Sequence, residues 1–118
     1  MATINKTIEH VDGLKPNTFE PEAKFNWLRD LDGMICRTVM QQEFVPYEYP
    51  KDMDRELLVS APYEGIYALY LEAQIDRYNQ EYNEYNNTIT TFNALFSDFK
   101  KDYIREHRPK SAGRIRGL

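Results

Sequence analysis

The chain has 118 residues, 42% hydrophobic and 29% charged, which is ordinary for a globular domain and long enough to bury one core without staples. Its formal net charge of −4 is uneven: Arg105, Arg108, Lys110, Arg114 and Arg116 against Glu106 give residues 105–118 about +4, leaving about −8 on the body. An acidic body with a basic tail is not the footprint of a DNA-wrapping domain, and no apolar run approaches the roughly 18 residues of a membrane span. Met1-Ala2-Thr3-Ile4-Asn5-Lys6 lacks a basic segment followed by an apolar one, so no secretory signal is expected. The single cysteine, Cys36, excludes an internal disulfide and fits synthesis in a reducing cytosol.

In chain order, Thr3 is placed to cap a first helix with Ile4, Ile8 and Val11 on one face and Gly13 as its stop. Lys15-Pro16-Asn17-Thr18 reads as a turn. Pro21 suits the first turn of a second helix, whose stripe is Ala23, Trp27, Leu28, Leu31, Ile35 and Val39. Gly33 lies inside it at a cost of about 1 kcal/mol relative to Ala. From Glu43 to Ala61 the periodicity disappears. Phe44-Val45-Pro46-Tyr47-Glu48-Tyr49-Pro50 reads as an extended loop or edge strand, residues 52–56 as a turn, and Leu57-Leu58-Val59 as a short apolar segment. A loop this long is expected to be functional or to dock on a partner.

Beyond Pro62 the helical period returns. Tyr63, Tyr67, Leu71, Gln74, Tyr78, Tyr82, Tyr85, Ile89, Phe92, Phe96, Phe99 and Tyr103 follow one another at steps of three or four. An unbroken helix of about 43 residues would be roughly 65 Å long, against a radius of gyration of about 13 Å for a domain of this size. The stripe therefore either folds back as a hairpin or projects onto other subunits. Asn79, Asn83, Asn86, Asn87, Thr88, Thr90 and Thr91 make residues 79–91 the weakest part, and two helices with a break or bend there are expected. Pro109 ends the last helix. The fold expected is all-α: a small helical bundle with one long helical region over about 62–106, an extended loop at 43–61, a domain spanning 1–108 and a flexible basic tail at 109–118.

Catalytic chemistry finds no footing. His10 and His107 sit in polar surroundings without a Cys or second His at ligand spacing. Cys36 lacks a CxxC context and reads as a small core residue, and the glycines are scattered singly rather than gathered in a phosphate loop. Asp30 and Asp32 cannot share a helix face. Glu72 with Asp76 is an i,i+4 acidic pair able to bind a cation, but nearby bases favour a solvated surface. No catalytic residue, cofactor or metal is expected. The nine tyrosines are the compositional oddity. Tyr63, Tyr67, Tyr70, Tyr78, Tyr82 and Tyr85 suit a protein interface, where an apolar ring with a wettable hydroxyl is favoured, or equally the edge of a small core.

The run Leu58-Val59-Ser60-Ala61-Pro62-Tyr63-Glu64-Gly65-Ile66-Tyr67, then Leu71-Glu72-Ala73-Gln74-Ile75-Asp76, Tyr85-Asn86-Asn87-Thr88 and Phe92-Asn93, resembles the small head-tail connector (adaptor or head-completion) proteins of tailed bacteriophages and prophages. The earlier Asp12-Gly13-Leu14-Lys15-Pro16-Asn17-Thr18-Phe19 and Trp27-Leu28-Arg29-Asp30-Leu31-Asp32 match the same group, so the likeness extends to about Tyr103. It implies a mostly helical virion protein, made in the host cytoplasm. Such a protein assembles as a ring, commonly dodecameric, beneath the portal and extends the DNA channel toward a tail or stopper protein, without sequence-specific DNA binding. On that reading the six tyrosines belong to the subunit interface, and Arg105, Arg108, Lys110, Arg114 and Arg116 belong to a portal-binding tail. Phe44, Tyr47 and Tyr49 would face the channel or a neighbouring ring. The alternative is a small helical regulatory or nucleic-acid-binding protein that uses its basic tail on phosphates.

Overall fold

The computed structural model describes residues 2–107. Four helices account for most of them: α1 (Ile4–Leu14), α2 (Pro21–Thr38), α3 (Gly65–Tyr78) and α4 (Tyr82–His107). Among the described residues there is no strand, only one isolated antiparallel bridge between Thr3 and Glu56. The expected all-α class holds, and the long helical region is a hairpin of α3 and α4. Among the described residues no helix is long and apolar enough to cross a membrane.

The N-terminal peptide groups of α1 would be orphans without outside acceptors, and the irregular segment between α2 and α3 supplies two. Ile4 donates its N–H to the Arg55 carbonyl (3.1 Å) and Asn5 to that of Met53 (2.8 Å), while Lys6 donates to the Thr3 hydroxyl (3.2 Å). Leu57 N–H reaches back to the Ala2 carbonyl at 2.9 Å. The segment thus caps a helix of its own chain. Ile4, Ile8 and Val11 are buried as their spacing predicts, and α1 runs one residue past Gly13 before Lys15 closes it on the Val11 carbonyl.

Asn17 sets the turn into α2. Its side-chain oxygen accepts from Phe19 N–H (3.1 Å), and its amide donates to Asp12 (3.0 Å), which also takes the buried Lys24 ammonium at 2.7 Å. Pro21 opens α2 as expected, and the core side is Phe25, Leu28, Leu31 and Ile35. Phe25 was absent from the predicted stripe, whereas Ala23 and Trp27 lie at its half-buried margin. Gly33 has a specific use: a Cβ there would stand 3.1 Å from the Phe44 ring, so its absence lets that ring lie against the helix. Gln41, at φ 56°, ends the helix in the left-handed region, and Gln42 N–H bonds back to the Cys36 carbonyl at 2.9 Å.

Helix α3 is the central element, packed on α4 along one side and on α1 and α2 along the other. Ile66, Tyr67, Leu71, Ala73, Ile75 and Asp76 are all buried, so its apolar surface nearly encircles it. The single stripe read from the sequence captured only part of this. Helix α4 has one covered face, with Phe92 and Phe99 buried and Ile89, Leu95, Phe96 and Tyr103 partly so.

The break lies at residues 79–81, at the near edge of the window expected for it. Gln80 sits at φ 62°, Asn79 N–H closes on the Ile75 carbonyl (3.0 Å), and Glu81 N–H closes on that of Asp76 (2.9 Å). Asn83, Asn86, Asn87, Thr88, Thr90 and Thr91 are helical despite poor propensity. That cost is at most about 0.7 kcal/mol each relative to Ala, while burying one phenylalanine contributes roughly 1.5–3 kcal/mol. Phe92 and Phe99 together offset it, and Thr90 further ties its hydroxyl to the Asn86 carbonyl (2.7 Å).

A left-handed non-glycine residue carries a local strain of about 1–2 kcal/mol. Gln80→Gly is therefore expected to stabilise the fold by about 0.5–1 kcal/mol once the freer unfolded chain is allowed for. Gln80→Pro, locked at negative φ, is expected to destabilise it by about 3 kcal/mol or more. Urea denaturation of the two variants checks the sign at each.

Candidate interaction surface

The densest polar constellation is closed to solvent. Asp32, on the core face of α2, is fully buried, and three neutral donors converge on its carboxyl group. Tyr47 O–H reaches Oδ2 at 2.7 Å, Leu58 N–H reaches Oδ2 at 3.0 Å, and Tyr67 O–H reaches Oδ1 at 2.6 Å. The Tyr67 oxygen in turn accepts Val59 N–H at 2.8 Å. Burial pushes the Asp32 carboxyl above the usual carboxylate range, and the three donors oppose it only in part. Both tyrosine hydroxyls are likewise driven far up by burial and by the neighbouring carboxyl. With no opening to a substrate, this group ties α2, the long loop and α3 together. Sequence reasoning said of Asp32 only that it cannot share a helix face with Asp30, although its place four residues after Leu28 and three before Ile35 put it on the apolar face.

The six tyrosines do not form one patch. Tyr67 is inside the core. Tyr63 and Tyr70 are half-buried on the α3–α4 seam, Tyr63 donating to Asp102 Oδ2 (2.8 Å) and Tyr70 packing on Phe92. Tyr78, Tyr82 and Tyr85 surround the hairpin turn, with Tyr78 54% and Tyr82 59% exposed and Tyr85 half-buried. Tyr78 stacks on Trp27, ring centroids 5.5 Å apart and planes 7° from parallel, and Phe19 meets both rings edge-on. Leu14, 62% exposed, belongs to the same end of the molecule, one residue before the lysine that reaches Asp76 and Glu84 across the turn. An aromatic surface centred on Trp27 and Tyr78 is therefore the exposed apolar feature of the hairpin end.

Of the loop residues singled out, Tyr47 is buried under the Arg55 guanidinium, 5.0 Å from its ring, and Phe44 is half-buried beside Tyr47. Only Tyr49 reaches the surface, its ring edge-on to Phe25. Val45, 78% exposed, is the loop's most prominent apolar side chain and was not singled out from the sequence. Arg105 is exposed in the last turn of α4 and paired with Asp102. Arg108, Lys110, Arg114 and Arg116 lie outside the described residues.

At the other end, α4 and residues 58–62 enclose an open hollow of about 270 Å³ floored by Val59, Pro62, Tyr63, Phe99 and Tyr103. His107 stacks on Tyr103 at its rim, centroids 3.9 Å apart. Cys36 is buried with its sulfur facing the carbonyls of Gln42 and Glu43, and His10 is exposed. Neither contributes to a nucleophile–base pair among the described residues. One acidic group, Asp76 with Glu81 and Glu84, brings three carboxylates together at the hairpin turn; the sequence had paired Asp76 with Glu72 instead.

No family model, curated protein or solved structure matches this chain.

Asp32→Ala would leave three buried donors without an acceptor and is expected to cost about 3–5 kcal/mol in chemical denaturation. The pH response separates charge from shape. Because the folded carboxyl holds its proton to higher pH than the unfolded one, the folded state binds the extra proton between the two values. Stability at this group is then present at low pH and falls as pH rises from the ordinary range of about 3.9 through the raised folded value. The stability of the wild type relative to Asp32→Asn should fall across that window, measured by urea titrations at stepped pH.

Proposed function

We propose that this protein is a head-tail connector of a tailed bacteriophage or prophage, a structural subunit of a ring that sits under the portal and continues the DNA channel toward the tail. The observation that carries the reading is the aromatic end of the helical hairpin. Tyr78 and Tyr82, with Leu14, put apolar surface into solvent beside the half-buried Trp27, on a chain whose body is acidic by sequence. The sequence likeness to connector proteins, which runs from Asp12 to about Tyr103, supports the same reading.

A rigid hairpin is suited to lateral packing in a closed ring. Each copy would present the aromatic end to a different surface of its neighbour, a heterologous contact that closes by rotation. An acidic body suits passage of DNA, since phosphates are repelled and no basic contact adds salt-sensitive grip. The basic segment beginning at Arg105 would complement an acidic surface on the portal and set the orientation of docking. Nothing in this role requires a catalytic group, a cofactor or a membrane.

Native mass measurement and electron microscopy of the purified chain, alone and with a portal ring, test the proposal. A closed ring, or a monomer that forms one on the portal, is expected. Tyr78→Glu should keep the helical circular dichroism, because the side chain is exposed, and weaken ring formation by about 30-fold or more, as for loss of an interface hot spot worth about 2 kcal/mol. Removing residues 110–118 should prevent portal docking and leave the helical domain folded. Normal particles from the truncated chain would refute the role given to the tail. Nucleic-acid affinity that falls steeply with salt, without ring formation, would favour the regulatory or nucleic-acid-binding alternative.

A further inference from the structure

The hairpin turn concentrates negative charge. Asp76 in the last turn of α3, Glu81 in the turn and Glu84 in the first turn of α4 each bring a carboxylate oxygen within 4.8 Å of the others. One cation reaches the group: Lys15 Nζ lies 2.8 Å from Asp76 Oδ1 and 3.2 Å from Glu84 Oε1. A single ammonium against three carboxylates leaves the cluster net negative. Asp76 also sits at the carbonyl end of α3, where the helix dipole disfavours an anion.

A second observation is independent of the clustering. Asp76 is fully buried, and its Oδ2 has no hydrogen-bond partner, alone in this among the buried side-chain oxygens and nitrogens of the described residues. A buried carboxylate oxygen with nothing to accept from is a costly arrangement that a bound cation would relieve. Glu81 and Glu84 open to solvent, lining with Gln80, Tyr82 and Asn83 a hollow of about 520 Å³.

We infer that Asp76, Glu81 and Glu84 form a binding site for a hard divalent cation, calcium before magnesium, with Lys15 as the internal cation that holds Asp76 and Glu84 when the site is empty. An all-oxygen donor set selects calcium, magnesium or manganese over zinc or copper. Carboxylates carried on a turn and its helix suit calcium's adaptable coordination better than the near-ideal octahedron that magnesium demands. Glu81 and Glu84 are exposed side chains on a turn and its helix, free to adjust, and water completes the coordination. Binding exchanges the partly exposed Lys15 ammonium for the metal and crosslinks the end of α3 to the start of α4. This site does not depend on the connector reading.

Titration of the full-length chain with calcium chloride, followed by amide NMR, tests the inference, with potassium chloride at matched ionic strength as the screening control. Saturable shifts over residues 76–84 are expected, with a dissociation constant of about 0.1–1 mM, the range of weak extracellular-type sites. Glu81→Gln with Glu84→Gln, both exposed and so compatible with folding, should weaken binding by about tenfold or more, and Lys15→Gln should tighten it. Shifts reproduced by potassium chloride, absent at millimolar calcium, or unchanged in the double variant would overturn the site.

Discussion

Asp32 is a carboxyl group sealed from water and held by neutral donors, and the arrangement of the chain follows from the need to satisfy it. A buried carboxyl without partners would be intolerable. Its three partners come from far along the sequence: a tyrosine hydroxyl in the loop, a backbone N–H at the end of that loop and a tyrosine hydroxyl on α3. Satisfying the carboxyl therefore fixes where an irregular segment must lie against two helices. The Tyr67 hydroxyl extends the constraint by one link, donating to Asp32 while accepting from Val59 N–H, so two successive loop amides, at Leu58 and Val59, are held by the same network.

Once the loop is pinned at Tyr47 and at Leu58–Val59, the stretch between them is delivered to the start of α1. The carbonyls of Met53 and Arg55 then meet the orphan N–H groups of Asn5 and Ile4. A segment without regular structure thus acts as a helix cap and as a strap across α1, α2 and α3. Helix α3, wrapped by this strap and by α1, α2 and α4, becomes the interior axis, and α4 is left with one face in solvent. The surfaces remaining for other molecules are consequently the outer side of α4, the aromatic hairpin end and the crest of the loop at Val45 and Tyr49.

Local physics was readable where a side chain's role is decided by its near neighbours in sequence. Thr3 as a cap, Pro21 as a helix opener, and Ile4, Ile8 and Val11 as one buried face all follow from spacings of three or four. The fold-back of the long helical region followed from size and from its weak centre, although Gln80, which makes the turn, carries no glycine-like signature. What could not be read depends on distant partners. The spacing of Asp32 from Leu28 and Ile35 places it on the apolar face of α2, but what satisfies it there cannot be read until residues 15, 26 and 35 positions away are brought to it. Tyr47 and Tyr67 look like interface tyrosines for the same reason. The near-complete burial of α3 escaped a reading that allots each helix one apolar face, because Ile66, Ala73 and Ile75 lie off the stripe that runs through Tyr67 and Leu71. Lys15, Asp76 and Glu84 meet only because the hairpin turn closes against the end of α1.

The connector reading and the cation site both stand on this frame, since each needs the hairpin turn held rigidly against α1 and α2. Hydrogen exchange at the amides of Leu58 and Val59 measures that frame most directly. Both belong to a segment without helix or strand, and an ordinary loop amide exchanges through local opening at little free-energy cost. The account predicts that these two amides exchange as slowly as those in the middle of α3, because releasing them breaks the Asp32 network and with it the fold. Exchange at the rate of the exposed loop residues around Val45 would contradict it.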